Sequence, residues 1–575
     1  MDRSLGPCYH LRTVDEFKRA VAEVARKAGL PFEEALETVA IPRERERADL
    51  ALPCFRWAKS RKQAPPAVAA EVAAAFEPDE LLESAEATGP FVNFRIRRAA
   101  FAGRVLDSID GSFGRSDVGS GGTVVVDYGS PNIAKPLLFH HLRSAAIGQA
   151  LCNLHRWQGY EVVGLNYLGD VGTAFGKLMT GIEEFGEATT AEQLNTTYVK
   201  ASKLCEEDPA FMDRARGWAK RLEDKEPEAV RVWEQARLLS LEGFKTVYDL
   251  LGIRHDVIDG EQQYVRPAAQ LVEELIEAGK ARESEGGIVV DLPKEKVLLV
   301  RKSDGATLYQ TRDLTAAWDR WERFHFARML YVVDVAQEHY FQQMFAALEA
   351  TGADWADRCR HVKFGQVLFD GKRTKTREGA SILLEEVLVE AIRRARKIIE
   401  EKNTDLEDED AVARAVGVAA VLFADVGFPT TKNIDFKWDE VISFDGRTGP
   451  YLQYVHASAC SILRKGAEQG GDPAKGDAGL LQNDLEWELI RRLAEFPVEV
   501  ARACGDCEPS TVANFLYELA REFRSYHSAG GRDRNLRVLV EDEAMRDARL
   551  KLVDGVRQTL AIGLTLLGIE PVTRM

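Results

Sequence analysis

Hydrophobic positions run almost without interruption from Thr123 to Tyr128, the pattern of a strand covered on both faces. From Leu138 onward the apolar residues recur at helical spacing until Gly159 stops the helix, and Tyr160 to Leu168 reads as a second strand. Strand, turn, helix and return strand make one βαβ unit. Its first turn, within Ser130 to Arg143, is punctuated by Pro131 and Pro136 and lies at the carboxyl end of the sheet beside a helix N-terminus. Free backbone N–H groups and the helix dipole suit that place to phosphate.

The same reading organises the rest of the chain. Residues 1–115 alternate helical and short strand-like stretches, with Pro65-Pro66 ahead of an Ala-rich helix over 67–76 and Gly89-Pro90 turning into a strand. Gly119 to Gly122 form a Gly-rich linker into the βαβ unit. Between Gly176 and Leu251 the chain is charged and helix-patterned, which predicts a helical insertion in an α/β domain. Strand signals return at 255–258, 287–292 and 329–333. After Ile382 nearly everything is helical, including 411–423 and 484–503, which predicts a separate all-α bundle. The expected fold is multidomain: an α/β N-terminal domain over 1–115, a Rossmann-like parallel α/β domain over 116–405 with its insertion at about 177–251, and an all-α domain over 406–575.

Composition narrows the class of partner. A chain of 575 residues is too long for one core, and 45% hydrophobic with 29% charged residues is ordinary globular material. The apolar run Ala415 to Ala424 falls below the ~18 residues of a membrane span, and the N-terminus shows no basic-then-apolar leader, so a cytoplasmic protein with no membrane contact is expected. A net charge of −16 opposes indiscriminate binding to polyanions, and DNA is not expected as a partner. RNA contact needs local basic patches: Arg95, Arg97 and Arg98; Arg393, Arg394, Arg396 and Lys397; or Arg532, Arg534 and Arg537, each of which also reads as a solvated face. The eight cysteines form no framework, and Cys504-Gly505-Asp506-Cys507 lacks a second pair or a nearby His, so no structural metal is expected.

Ser130-Pro131-Asn132-Ile133-Ala134-Lys135-Pro136, followed by His140-His141, resembles the signature of class I arginyl-tRNA synthetases, in which that stretch precedes a variant of the His-Ile-Gly-His motif. Leu165 to Asp170 looks like the family's second strand and following loop, and Leu308 to Asp313 like its arginine-binding helix. Gly371 to Gly379, with Lys375 and Arg377, stands where the family has a weakened Lys-Met-Ser-Lys-Ser loop. Gly449 to Tyr454 and the closing Leu566 to Ile569 resemble its anticodon-binding region, so the likeness covers nearly the whole chain.

The resemblance implies an ATP-dependent ligase of protein biosynthesis, acting as a monomer, that activates L-arginine with ATP and Mg²⁺ and transfers it to tRNA(Arg). It implies Asn132, Glu261, Tyr309, Asp313 and Gln337 around the arginine, and Lys135, His140, His141, Gly169 and Asp170 around ATP. Lys135, His141, Lys375 and Arg377 become the catalytic side chains. Phe91 and Asn93 become contacts to the outer corner of tRNA, with Trp438, Tyr451 and Tyr454 facing the anticodon; packing is the alternative role for these aromatic residues. The residue types suit the chemistry. Glu261 and Asp313 are acceptors for a planar guanidinium fork, and Tyr309 lies one helical turn before Asp313.

Departures from the family pattern also exist. Leu138 stands at the first histidine of the motif and His140 at its glycine; being adjacent, His140 and His141 are expected about 100° apart around a helix. Asp170 to Gly176 lacks the family's aromatic and amide, and Ser458 replaces an arginine. These differences leave two alternatives open: a catalytically weakened paralogue that binds arginine and RNA, or an arginine ligase with a non-standard acceptor.

Overall fold

The computed structural model describes residues 12–42, 44, 47–133, 135–294, 296–369, 371–373, 382–402, 406 and 408–575. Its central parallel sheet runs in the order Cys359–Phe364, Arg328–Asp334, Thr123–Asp127, Glu161–Leu168, Val257–Gly260. Val124, Val125 and Val126 are fully buried because the middle strand is covered on both faces. Winding reverses between Thr123–Asp127 and Arg328–Asp334, and a crevice opens outside the carboxyl ends at that point.

The helix after the first strand is His141–Trp157, starting later than the apolar spacing suggests. Residues 137–139 are held extended against 382–384: Phe139 N–H donates to Ile382 O at 2.9 Å, Leu384 N–H donates to Leu137 O at 2.9 Å, and Leu138 bridges Leu383. The region between Thr173 and Leu251 is helical throughout, as Thr173–Phe185, Ala191–Glu207, Pro209–Glu223 and Pro227–Leu251. Thr190 and Asp208 cap two of these with their side chains. Gly287–Leu292 is a strand, but it pairs antiparallel with Arg282–Ser284 and Lys296–Arg301 in a separate small sheet. Cys359–Phe364 interleaves charged and apolar residues, as an edge strand with one solvated side does, and the apolar pattern does not announce it.

In the N-terminal region Phe91–Ile96 is the centre of an antiparallel sheet between Leu50–Pro53 and Leu82–Thr88. Gly89, at φ +57°, makes the tight reversal into it. The C-terminal bundle consists chiefly of Gly449–Glu468, Asp484–Asp506, Ser510–Arg532 and Glu543–Leu566. One short strand interrupts the helical region: Ile434–Phe436 pairs parallel with Val367–Phe369 and so ties the approach to the bundle onto the catalytic sheet's side of the molecule. Among the described residues no helix is long and apolar enough to cross a membrane.

Candidate active site

A cavity of about 750 Å³ occupies the crevice, and residues following all five strand ends line it: Gly129 and Ser130, Gly169, Glu261, Asp334 and Gln337, and Gly365 to Val367. Gly129 (φ +86°) and Ser130 (φ +42°) turn the chain off the first strand. That turn is pinned: Gly129 N–H donates to Ser144 Oγ at 2.8 Å, whose hydroxyl donates to Val332 O, and Ser130 N–H donates to Asn166 Oδ1 at 3.1 Å. Pro131 to Ile133 then run beside Gly169, and Asn132 Oδ1 fills the space a Cβ at Gly169 would need.

Asn132, Glu261, Tyr309, Asp313 and Gln337, drawn from four separate segments, all line this cavity. Tyr309 opens its helix, Tyr309–Phe324, at 53% exposure, with Asp313 one turn deeper. Neither neighbouring arginine takes Asp313. Arg312 pairs instead with Glu261 at 3.3 Å, and Arg320 with Asp127 at 3.0 Å. The partner of Asp313 is the hydroxyl of Tyr340, which donates to its carboxylate. Desolvation by the surrounding protein pushes Asp313 up to about 6, with the negative charge of Glu261 adding to the rise and the Tyr340 hydrogen bond opposing it. Glu261 is also raised by burial, against the pull of Arg312.

Two aromatic residues that the motifs do not single out as ligands belong to this wall. Tyr340 holds Asp313 and stacks obliquely on Tyr309 at 5.3 Å. Tyr167 lines the cavity with a buried hydroxyl that has no hydrogen-bond partner among the described residues, its ring lying 4.9 Å from the Arg320 guanidinium. Tyr167 sits inside the Leu165 to Asp170 stretch, where a strand-end reading could have found it. Tyr340 carries no comparable signal, since a Tyr on an amphipathic helix usually reads as packing.

His140 and His141 also line the cavity, their rings 4.2 Å apart and inclined by 36°. His140 is the N-cap of the helix and its backbone is already helical, with φ −68° and ψ −17°; adjacent positions on that turn still bring the two rings close together. His141 Nδ1 lies 2.9 Å from the Leu138 N–H and 3.2 Å from the Leu138 carbonyl, so the backbone of Leu138 holds the ring in place. Leu138 itself is taken up by its bridge to Leu383 and is not part of the wall.

Other expected ATP-side residues fall elsewhere. Asp170 is 1% exposed and sits behind the wall, accepting from Gln262 N–H at 2.9 Å while its backbone carbonyl accepts from Trp233; burial pushes its carboxyl up to about 6. It therefore braces the loop that carries Glu261 and does not face the cavity. Lys135 lies off the wall, with Nζ 5.1 Å from the Tyr198 ring of the helical insertion. Lys375 and Arg377 lie outside the described residues.

Among the expected RNA-facing groups, Phe91 is 39% exposed and meets Phe55 edge-on at 5.6 Å, whereas Val92 and Phe94 fill the core, so Phe91 is not a core residue. Asn93 shares its outward face. In the C-terminal region Tyr454 is at the surface, with Arg524 5.2 Å from its ring. Tyr451 is buried near Tyr517, and Trp438 is half-buried against Phe369, Phe436 and the Arg394 guanidinium. Arg393 and Arg394 are engaged by Glu390, and Arg98 by Asp484.

Residues 110–438, more than half of the chain, match the family described as tRNA synthetases class I (R), catalytic domain. The chain belongs to the class I arginyl-tRNA synthetases. As a member of that family it also matches the arginyl tRNA synthetase N terminal domain over residues 15–96 and the DALR anticodon binding domain over 452–575. It is 41% identical to arginine–tRNA ligase 1 of Bacillus thuringiensis subsp. konkukian, over 94% of this chain and 96% of the relative. It is 36% identical to the arginine–tRNA ligase of Alkaliphilus metalliredigens, over 98% of this chain and all of the relative. Among solved structures, the Thermus thermophilus arginyl-tRNA synthetase aligns over 98% of this synthetase and all of its own chain, with TM-score 0.79 and 28% identity.

Proposed function

We propose that this chain is an arginine–tRNA ligase that joins L-arginine to ATP as arginyl-adenylate, releasing pyrophosphate, and passes the arginyl group to the 3' end of tRNA(Arg). The observation that carries this reading is one cavity at the sheet's switch point lined both by two carboxylates, Glu261 and Asp313, and by two imidazoles, His140 and His141, at a helix N-terminus.

Asp313 and Glu261 face the guanidinium, which offers a planar fork of donors, while Asn132 and Gln337 hold the α-amino and carboxylate ends and Tyr309 covers the site. His140, His141 and the open approach past Gly169 take the nucleotide. The arginine carboxylate attacks the α-phosphate, so the work of the protein is positioning and neutralisation of charge; His141 donates to the phosphates, and Lys135, Lys375 and Arg377 serve the departing pyrophosphate. Mg²⁺ enters on the phosphates of ATP. Phe91 and Asn93 contact the outer corner of tRNA and Tyr454 the anticodon side. The protein works as a cytoplasmic monomer.

Charging of tRNA(Arg) transcript with labelled arginine tests this reading. ATP-dependent, arginine-specific charging is expected; no charging at micromolar enzyme overturns it. One observation favours a second reading, a weakened paralogue that binds arginine and RNA: Leu138 places no imidazole at the start of the motif. Wild type without activity, restored by Leu138→His with His140→Gly, would establish that alternative.

A further inference from the structure

We propose that Arg143 is a positioning residue that fixes the nucleotide side of the cavity against the segment leading into the C-terminal bundle, a role that rests on the ligase reading above. Arg143 follows His141 by two residues on the first turn of the helix and is 1% exposed. Its guanidinium is spent on the backbone. Nη1 donates to Gly365 O at 3.1 Å and to Lys432 O at 2.7 Å, Nη2 donates to Thr430 O at 3.1 Å, and Nε donates to Asp425 Oδ1 at 3.3 Å.

A buried ion pair alone would need only Asp425, and one of that carboxylate's oxygens has no hydrogen-bond partner among the described residues. The three carbonyls instead define a geometry, because a guanidinium fork meets its acceptors in fixed directions. Two of those carbonyls belong to the 430–432 segment and the third to Gly365, which with its neighbours Gln366 and Val367 lines the same cavity as His140 and His141. The two segments form one unit. Gly365 N–H donates to Thr430 O at 2.9 Å, Gln366 N–H donates to Asn433 Oδ1 at 2.8 Å, and Val367 pairs with Ile434. Gly365 permits this approach, since a Cβ there would sit 2.8 Å from the Lys432 carbonyl.

The unit is anchored in turn to the bundle. Thr430 donates through both N–H and Oγ1 to Glu508, which lies at the corner between Asp484–Asp506 and Ser510–Arg532. Glu508, Thr430 and Arg143 therefore link the bundle to the turn bearing His141. Because reaction geometry tolerates little displacement, a shift of ~1 Å in one wall costs up to about 100-fold.

Titration calorimetry with ATP and, separately, with L-arginine on the full chain tests the assignment, comparing wild type with Arg143→Lys and Glu508→Gln. Lysine keeps the charge for Asp425 and loses the fork. The expected result is an ATP Kd weakened about 10-fold or more in Arg143→Lys and less in Glu508→Gln, with the arginine Kd within about twofold of wild type. Equal weakening for both ligands, or an unchanged ATP Kd, overturns the proposal. Should Arg143→Lys fail to fold, Glu508→Gln, altered at a half-buried corner, decides by the same ATP-against-arginine comparison. A wild type that binds ATP with the stated dependence on Arg143 yet charges no tRNA would refute the ligase reading and leave this one standing; a wild type that binds no ATP refutes both.

Discussion

The hydroxyl of Tyr340 donates to the carboxylate of Asp313, while the neighbouring arginines Arg312 and Arg320 form their ion pairs with Glu261 and Asp127. Desolvation raises Asp313 to about 6, so its charge disappears at a higher pH than that of an ordinary carboxyl. A guanidinium ligand requires the ionised form. Arginine KM, measured in exchange assays across pH 5 to 8, is therefore expected to be constant above about 6.5 and to climb as pH falls through about 6. Asp313→Asn should weaken arginine by about 2 kcal/mol or more and flatten that climb; an unaltered profile would remove Asp313 from the recognition step.

Tyr340→Phe keeps the ring against Tyr309 and deletes only the donor. The acid then loses a charge-assisted bond of about 1.5 kcal/mol, and arginine KM should rise about 10-fold while the KM for ATP stays put. A parallel change in both constants would mean that Tyr340 supports the fold and not the ligand.

His140 reaches the cavity from just outside the helix, stacked on His141. His140→Ala is expected to slow adenylation about 10²-fold through loss of a donor to phosphate, with arginine binding by calorimetry unchanged. A faster enzyme would show that the imidazole merely crowds the nucleotide, as the glycine of the family motif implies.

Phe91 offers an exposed ring on a sheet whose other face is core. Phe91→Ala should cost about 1 to 3 kcal/mol in tRNA affinity, seen as a raised KM for tRNA in charging assays, and leave thermal stability within a degree or two of wild type. A large loss of stability instead would make it a packing residue.

Much of this architecture was legible because its signals are local. The unbroken apolar run of Thr123–Asp127 and the Pro-punctuated turn after it locate the sheet's centre and the cavity's rim, and five residues from four segments meet where the motif order places them. What was not legible depends on tertiary pairing. Leu138 has helical spacing, yet strand-like pairing with Leu383 delays the helix to His141. Asp170 carries a charge that suggests a ligand, and only the packing of Trp233 and Gln262 around it reveals a brace. Tyr451 and Trp438 read equally as stacking platforms or as core; Tyr451 is buried, and Trp438 stays half-buried among Phe369, Phe436 and Arg394.

Arginine-dependent exchange of labelled pyrophosphate into ATP, with tRNA(Arg) present, tests the central claim most directly. Exchange that saturates with arginine and is absent with neutral citrulline is the predicted result, because two partly buried acids would be left facing an uncharged end group. Exchange no greater than without amino acid, or equal rates with arginine and citrulline, would contradict the account.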